Sequence, residues 1–307
     1  MSCFNPISAT LGKEKPNGKK TVVFLGAKDQ RQDNYIKLPC GKCIGCLRNR
    51  AREWGIRCVH ESINHQQNSF LTLTYSPEHL PPDGSIHVEH IQKFIKRLRK
   101  EAKLPLRYFL CGEYGSKLLR PHYHLLVFGY DFPDKLLHQT NGLGQKIYRS
   151  PTLERLWPFG FSTIGAVTNE SAQYVARYTL KKVYGTNKKE HYGNRKPEFV
   201  TMSRRPGIGF NWYQKNKNDV YPAGSLLFNQ VQQMPPRYYD ALYQKDDPDS
   251  LENIKMVRVQ KAKKVKAYDN INGQSIRVSN SDSFRLPIRE KIVIHRMRLL
   301  KRFMEEN

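Results

Sequence analysis

The sequence predicts an α+β fold with an antiparallel sheet, on three observations. Residues 69–75 (SFLTLTY) alternate large apolar side chains with threonine, the period of a strand with two different faces. Residues 107–111 and 122–130 read as two further strands, and the connection between them, with Gly112, Gly115 and Pro121, suits a hairpin. Ile91, Phe94, Ile95 and Leu98 recur at helical spacing among Lys93, Lys96, Arg97, Arg99 and Lys100, so residues 87–102 form an amphipathic helix with a basic outer face. A central hairpin in the order strand, helix, strand, strand, helix, strand, helix favours this class over a doubly wound parallel sheet.

The other elements follow in order. Residues 1–39 are polar and turn-rich around Pro16, Asn17 and Gly18, with one short apolar run from Val22 to Leu25, and read as a loop-like arm with one hairpin. From Leu47 to about His65, Trp54, Ile56, Cys58, Val59 and Ile63 alternate with Arg48, Arg50, Arg52 and Arg57, which predicts a helix with one apolar and one basic face. The segment from Pro77 to Gly84 ends the first strand. A helix at 153–157, a strand at 161–167 and a helix running to about Val183, capped by Thr168 or Asn169, come next. Beyond residue 185, SRRPGIGFNWY reads as a turn-rich basic segment, Pro236 to Gln244 as a short helix, and 285–304 as a terminal helix; KAKKVK at 261–266 reads as solvated basic surface. This divides the chain into an N-terminal arm with a Cys-rich turn and basic helix (1–66), a core (67–200) and a basic C-terminal extension (201–307).

Composition narrows the partners. The 307 residues carry 52 Lys and Arg against 27 Asp and Glu, a net charge of +25 spread along the chain, so the expected partner is a polyanion, with nucleic acid first. With 38% hydrophobic and 11% aromatic residues the chain can fill real cores, which excludes wholesale disorder. No run approaches a membrane span and the first residues lack an apolar leader, so the expectation is a cytosolic protein with no membrane partner. Six unevenly spaced cysteines do not make a secreted disulfide scaffold. No Walker lysine motif is present, so no intrinsic ATPase is expected.

Pro121-His122-Tyr123-His124 is the sharpest chemical feature. On a strand, positions i and i+2 share a face, so the two imidazoles converge while Tyr123 points away. Glu113, at the end of the preceding strand, comes beside them in a hairpin, and two nitrogens with one oxygen suit Mg²⁺ or Mn²⁺ with positions open for water and a phosphate oxygen. The bland alternative is a pair of hydrogen-bonded strand histidines. In YVARYTLKK, Tyr174, Tyr178 and Lys181 or Lys182 fall on one helical face. Alone, such a tyrosine pair reads as packing; beside a metal that holds a scissile phosphate it becomes a nucleophile. Cys40, Cys43 and Cys46 in PCGKCIGC form a tight turn able to face one zinc ion, with Cys3 as the best fourth ligand and Cys58 or His60 as alternates, against a reading of reduced thiols.

Together these residues resemble a known family. FLTLTY, HYH and YVARYTLKK occur in the order of the three motifs of HUH endonucleases, and the chain looks like one of their rolling-circle initiators. More narrowly, CGKCIGCLRNRAREWGIRCVHE, CGEYG, RPHYHLLVFG, YVARYTLKK, RRPGIGFNWY and PRYYDALY, between about residues 40 and 243, resemble the replication initiation proteins of the Microviridae, especially the gokushovirus branch. The resemblance implies a five-stranded antiparallel sheet flanked by helices and a metal-dependent nickase and strand transferase acting on single-stranded DNA at the phage origin. It implies His122, His124 and Glu113 as metal ligands and Tyr174 and Tyr178 as paired nucleophiles. Arg177 stands where related motifs often carry lysine, so the catalytic cation lies among Lys181, Lys182 and Arg177, with Lys181 favoured by its near two-turn separation from Tyr174. A host helicase and polymerase, in the cytoplasm of a bacterial host, are the implied partners. The competing class is a non-catalytic nucleic-acid-binding protein with a zinc module on an HUH-like scaffold.

Overall fold

A computed structural model describes residues 3–16, 20–24, 35–115, 118–142, 144–177, 188–264, 266–271, 274–279 and 285–298. The chain divides into two compact units, one of residues 1–49 with 259–301 and one of residues 50–258 with 302–307. No helix among the described residues is long and apolar enough to cross a membrane.

In the first unit, β1 (Ile7–Glu14) pairs antiparallel with β2 (Lys20–Phe24) on one side and β3 (Ile36–Leu38) on the other. The expected arm with one hairpin is therefore a three-stranded sheet. Its third strand, Ile36-Lys37-Leu38, is too short to announce itself by periodicity. The helix α1 (Ile44–Ser62) begins here and continues into the second unit.

The second unit is built on a seven-stranded antiparallel sheet among the described residues. Its strands and helices are β4 (Asn68–Tyr75), α2 (Val88–Ala102), β5 (Arg107–Tyr114), β6 (Pro121–Phe128), β7 (Leu136–Thr140), β8 (Lys146–Arg149), α3 (Pro151–Leu156), β9 (Gly160–Gly165), α4 (Asn169–Arg177), α5 (Lys188–Tyr192) and β10 (Phe199–Met202). The strand order is β10-β5-β6-β4-β9-β8-β7, all neighbours antiparallel. The α+β class and the central β5-β6 hairpin agree with the sequence, but the sheet has seven strands where five were expected. The β7-β8 hairpin escaped notice because all five residues of β7 are exposed and show no alternation.

The two sheet faces bury different residues. Leu71, Leu73 and Tyr75 of β4 and Tyr123, Leu125 and Val127 of β6 meet Ile91, Phe94, Ile95 and Leu98 of α2 and Leu153 and Leu156 of α3. The alternate residues, Phe70, Phe109, Cys111, Leu126 and Phe128, meet Cys58 of α1 and Ala172 and Val175 of α4. Each such large apolar side chain contributes about 1.5–3 kcal/mol on burial. A slip of one residue in any central strand would exchange the two sets, so the register is strongly specified.

Beyond the sheet lie α6 (Phe210–Ala223), β11 (Leu226–Phe228), β12 (Val231–Gln233), α7 (Arg237–Asp246) and α8 (Pro248–Lys264), then β13 (Lys266–Ile271), β14 (Gln274–Ser279) and α9 (Arg285–Arg298). The KAKKVK run is largely the end of α8. Ile56 of α1 joins Tyr213, Tyr221, Phe228, Tyr239 and Leu251 in an aromatic core. The RRPGIG segment is pinned to α1 and β5: Glu61, paired with Arg107, accepts the Gly209 N–H at 2.6 Å, and Arg57 donates to the Ile208 carbonyl at 3.0 Å. Gly209 adopts φ +81°, and a Cβ there would meet the Tyr239 hydroxyl at 2.4 Å, so only glycine opens α6 at this point.

Candidate active site

Three strands assemble one polar cluster. Glu113 of β5 is the register partner of His122 of β6, and His124 is flanked by Cys111 of β5 and Thr72 of β4. His122 and His124 therefore share the α1/α4 face, while Tyr123 enters the opposite core, where its hydroxyl lies 2.8 Å from that of Tyr75 and donates to the His87 carbonyl at 3.0 Å. One carboxylate oxygen, Glu113 Oε1, lies 2.8 Å from His122 Nε2 and 3.1 Å from His124 Nε2.

The outer ring nitrogens are held too. His122 Nδ1 lies 3.0 Å from the Arg120 carbonyl, which can only accept, so Nδ1 carries the proton and a neutral His122 presents the Nε2 lone pair to the cluster. His124 Nδ1 lies 3.1 Å from the Thr72 hydroxyl. Burial opposes ionisation of Glu113, but hydrogen bonds and charge from His122 and His124 outweigh it and hold the carboxyl well below the usual carboxylate range. One buried carboxylate with two inward imidazole nitrogens, each braced from behind, is a donor set that suits a divalent cation.

Helix α4 brings Tyr174 to this cluster. Thr168 Oγ1 accepts the Ser171 N–H at 3.2 Å and starts the helix, and Ala172 and Val175 bury against the sheet. The half-buried Tyr174 ring then stands edge-on to His124, with centroids 5.3 Å apart, and edge-on to Phe70 at 6.3 Å. Tyr178, Lys181 and Lys182 lie outside the described residues. Sequence reasoning considered Thr72 only as a DNA contact; the β4-β6 register makes it the brace of His124, and the Arg120 carbonyl left no sequence signal at all.

A second cluster forms in the first unit. The sulfurs of Cys3, Cys40, Cys43 and Cys46 all lie within 4.8 Å of one another, which selects Cys3 over Cys58 and His60 as the companion of the CGKCIGC turn. Backbone N–H groups of Phe4, Cys40 and Cys43 each donate to a cluster sulfur at 3.3 Å. Burial opposes ionisation of Cys43, but these contacts, chiefly the Phe4 N–H, bring its thiol down to about 7, while burial and its neighbours push Cys46 up. Cys58 is fully buried in the sheet core, where burial raises its thiol.

The comparisons with known proteins bear on both clusters. A replication-associated protein VP4 of Bdellovibrio phage phiMH2K is 37% identical over 258 residues, 81% of this chain and 79% of the relative. The chain belongs to this family of phage replication-associated proteins. The replication-associated protein ORF2 of Spiroplasma virus 4 is 35% identical over 86% of the chain and 88% of the relative, and ORF4 of Chlamydia phage 1 is 32% identical over 74% and 59%. The family model for replication-associated proteins of the ORF2 kind matches residues 68–183, the stretch from β4 through α4 that carries Glu113, His122, His124 and Tyr174. These matches fit a Microviridae replication initiator and give the chain a role in phage DNA replication. No solved structure matches this chain.

Proposed function

We propose that this family member nicks single-stranded DNA at the phage replication origin and later rejoins the displaced strand. The observation that carries the reading is the Tyr174 ring 5.3 Å from that of His124, on the face where both histidines converge on Glu113. Bound Mg²⁺ or Mn²⁺ would offset charge on the oxygens of the scissile phosphate. Glu113, His122 and His124 would hold that ion, with Thr72 and the Arg120 carbonyl fixing the two rings. The Tyr174 phenol loses its proton as its oxygen bonds to phosphorus; the P–O3′ bond breaks and the 3′ oxygen leaves as a hydroxyl. One phosphodiester is exchanged for a 5′-phosphotyrosine without water, so attack by a 3′ hydroxyl reverses the step and reseals the strand.

Tyr178 would serve as the second nucleophile, with Lys181 or Lys182 countering charge on the phosphate. Cys3, Cys40, Cys43 and Cys46 would hold a structural Zn²⁺ that ties down the N-terminal arm. The setting is the cytoplasm of a bacterial host, with the host helicase and polymerase extending the nicked origin. The test is incubation with end-labelled single-stranded fragments of the cognate phage genome in Mn²⁺ or EDTA. A metal-dependent covalent adduct that disappears in the Tyr174→Phe, Tyr178→Phe double variant supports the reading; binding without capture under every metal supports the non-catalytic class instead.

A further inference from the structure

One cross-strand row runs through the metal-ligand cluster and ends on an exposed aromatic ring. Glu113 pairs with His122, His122 with Thr74, and Thr74 with Phe161 of β9, so all four residues project from the same sheet face. Phe161 is thus two strands from His122, roughly 10 Å at the usual strand spacing. Its neighbours Ser162 and Ile164 are buried on the other face, whereas Phe161 is 57% exposed. Half-buried Thr72, Thr74 and Thr163 occupy the sheet between the ring and the histidines.

Core packing does not account for an aromatic side chain at this position. Phe159 supplies the ring that the opposite core uses, at 5.2 Å from Trp157. The backbone beneath Phe161 is held firmly: the Ser76 N–H donates to the Phe159 carbonyl at 2.9 Å, and a Cβ on Gly160 (φ +149°) would come within 2.2 Å of Ser76 N. An exposed ring on a rigid strand, level with a cluster suited to holding a phosphate-bound cation, in a chain of net charge +25, has the properties of a stacking surface for an unpaired base.

We propose that Phe161 is a base-stacking platform, on which a base of single-stranded DNA lies while a nearby phosphate of the same strand occupies the Glu113, His122 and His124 cluster. The inference rests on the reading of that cluster as the DNA-cleaving site, and it adds the element that sets the strand's path across the sheet. Stacking tolerates any base, so origin sequence is read elsewhere and Phe161 supplies affinity and register.

The test uses the full-length protein and fluorescein-labelled oligothymidylate, followed by anisotropy, with adduct formation measured separately. Phe161→Ala should weaken binding about 5- to 100-fold, the loss of one stacked base. Phe161→Trp should restore it, and the salt dependence should not change, because no phosphate contact is removed. A strand of the same length made of abasic residues should bind wild type and Phe161→Ala equally. Equal oligothymidylate affinity for wild type and Phe161→Ala overturns the platform and leaves the cleavage reading standing, as does a loss that is just as large on the abasic strand. A base-dependent loss in a protein that forms no adduct with any metal supports the platform and removes the cleavage reading. A wild type that binds no single strand even at low salt overturns both.

Discussion

The ring of Tyr174 stands edge-on to the imidazole of His124, at 5.3 Å between centroids and 81° between planes. The contact arises because Ala172 and Val175 bury the flanking positions of α4 against Phe70, Leu126 and Phe128, which leaves Tyr174 over the edge of the histidine face. A phenol so placed reaches a phosphate bound at the cluster without any rearrangement of the sheet. Replacement by phenylalanine removes the nucleophile and leaves the ring contact. Tyr174→Phe should therefore lower adduct formation through that residue by roughly 100-fold or more while binding of single-stranded DNA is retained. Peptide mapping of the wild-type adduct checks it: a nucleotide found elsewhere than on Tyr174 or Tyr178 contradicts the assignment.

Glu113 and Thr72 test the metal cluster at two depths. Glu113→Gln removes the anionic oxygen on which both histidines converge and should abolish measurable Mn²⁺ binding at the site. Thr72→Val removes only the hydroxyl behind His124 and should weaken Mn²⁺ about 10- to 100-fold, the range for a group that orients a ligand. Calorimetric titration of the two variants decides; wild-type affinity in both rules the cluster out as the metal site.

The cysteine cluster should carry one zinc per chain. Cys43→Ser should lose it, whereas Cys58→Ser, buried in the sheet core, should retain it. With the zinc gone, Cys3 and Phe4 lose their anchor to the CGKCIGC turn and the N-terminal arm should become susceptible to protease. Elemental analysis with limited proteolysis provides the check, and full zinc content in Cys43→Ser would count against the site.

His60 makes stability fall in acid. Its ring stacks on Trp212 at 3.5 Å and lies 3.0 Å from the Tyr239 hydroxyl, and burial lowers it from the ordinary 6.5 to about 3. Above pH 6.5 both folded and unfolded chains hold it neutral and the effect is nil. Between 6.5 and 3 the unfolded chain takes up the proton that the folded one refuses, so stability drops as pH falls. By pH 5 the loss is about 2 kcal/mol relative to pH 7. Denaturant midpoints at the two pH values, compared between wild type and His60→Phe, measure it; an equal acid loss in both would falsify the role of His60.

Much of the site was legible in the sequence for a local reason. Strand parity puts His122 and His124 on one face whatever surrounds them, and a tight β5-β6 hairpin leaves Glu113 no other neighbour. The Cys-x-x-Cys-x-x-Cys spacing likewise brings three sulfurs together, and chemistry then called for a fourth. What stayed hidden depends on register or on contact between distant segments. Thr72 as brace, Phe161 in the row of His122, the seventh strand and the pinning of Gly209 by Glu61 each require partners far along the chain. The β7 strand and α8 stayed hidden for a different reason, since their surface-exposed residues carry little period to read.

The α+β class, the basic character, the family and the residue types of both clusters could all be read from the chain as a string, because composition and short-range periodicity are written into neighbouring positions. That the sheet has seven strands, that Cys3 is the fourth sulfur, that Tyr174 packs on His124 and that Phe161 shares the row of His122 emerged only from the folded molecule. Those outcomes are set by which buried surfaces find each other, a competition among long-range contacts that no local window of the chain contains.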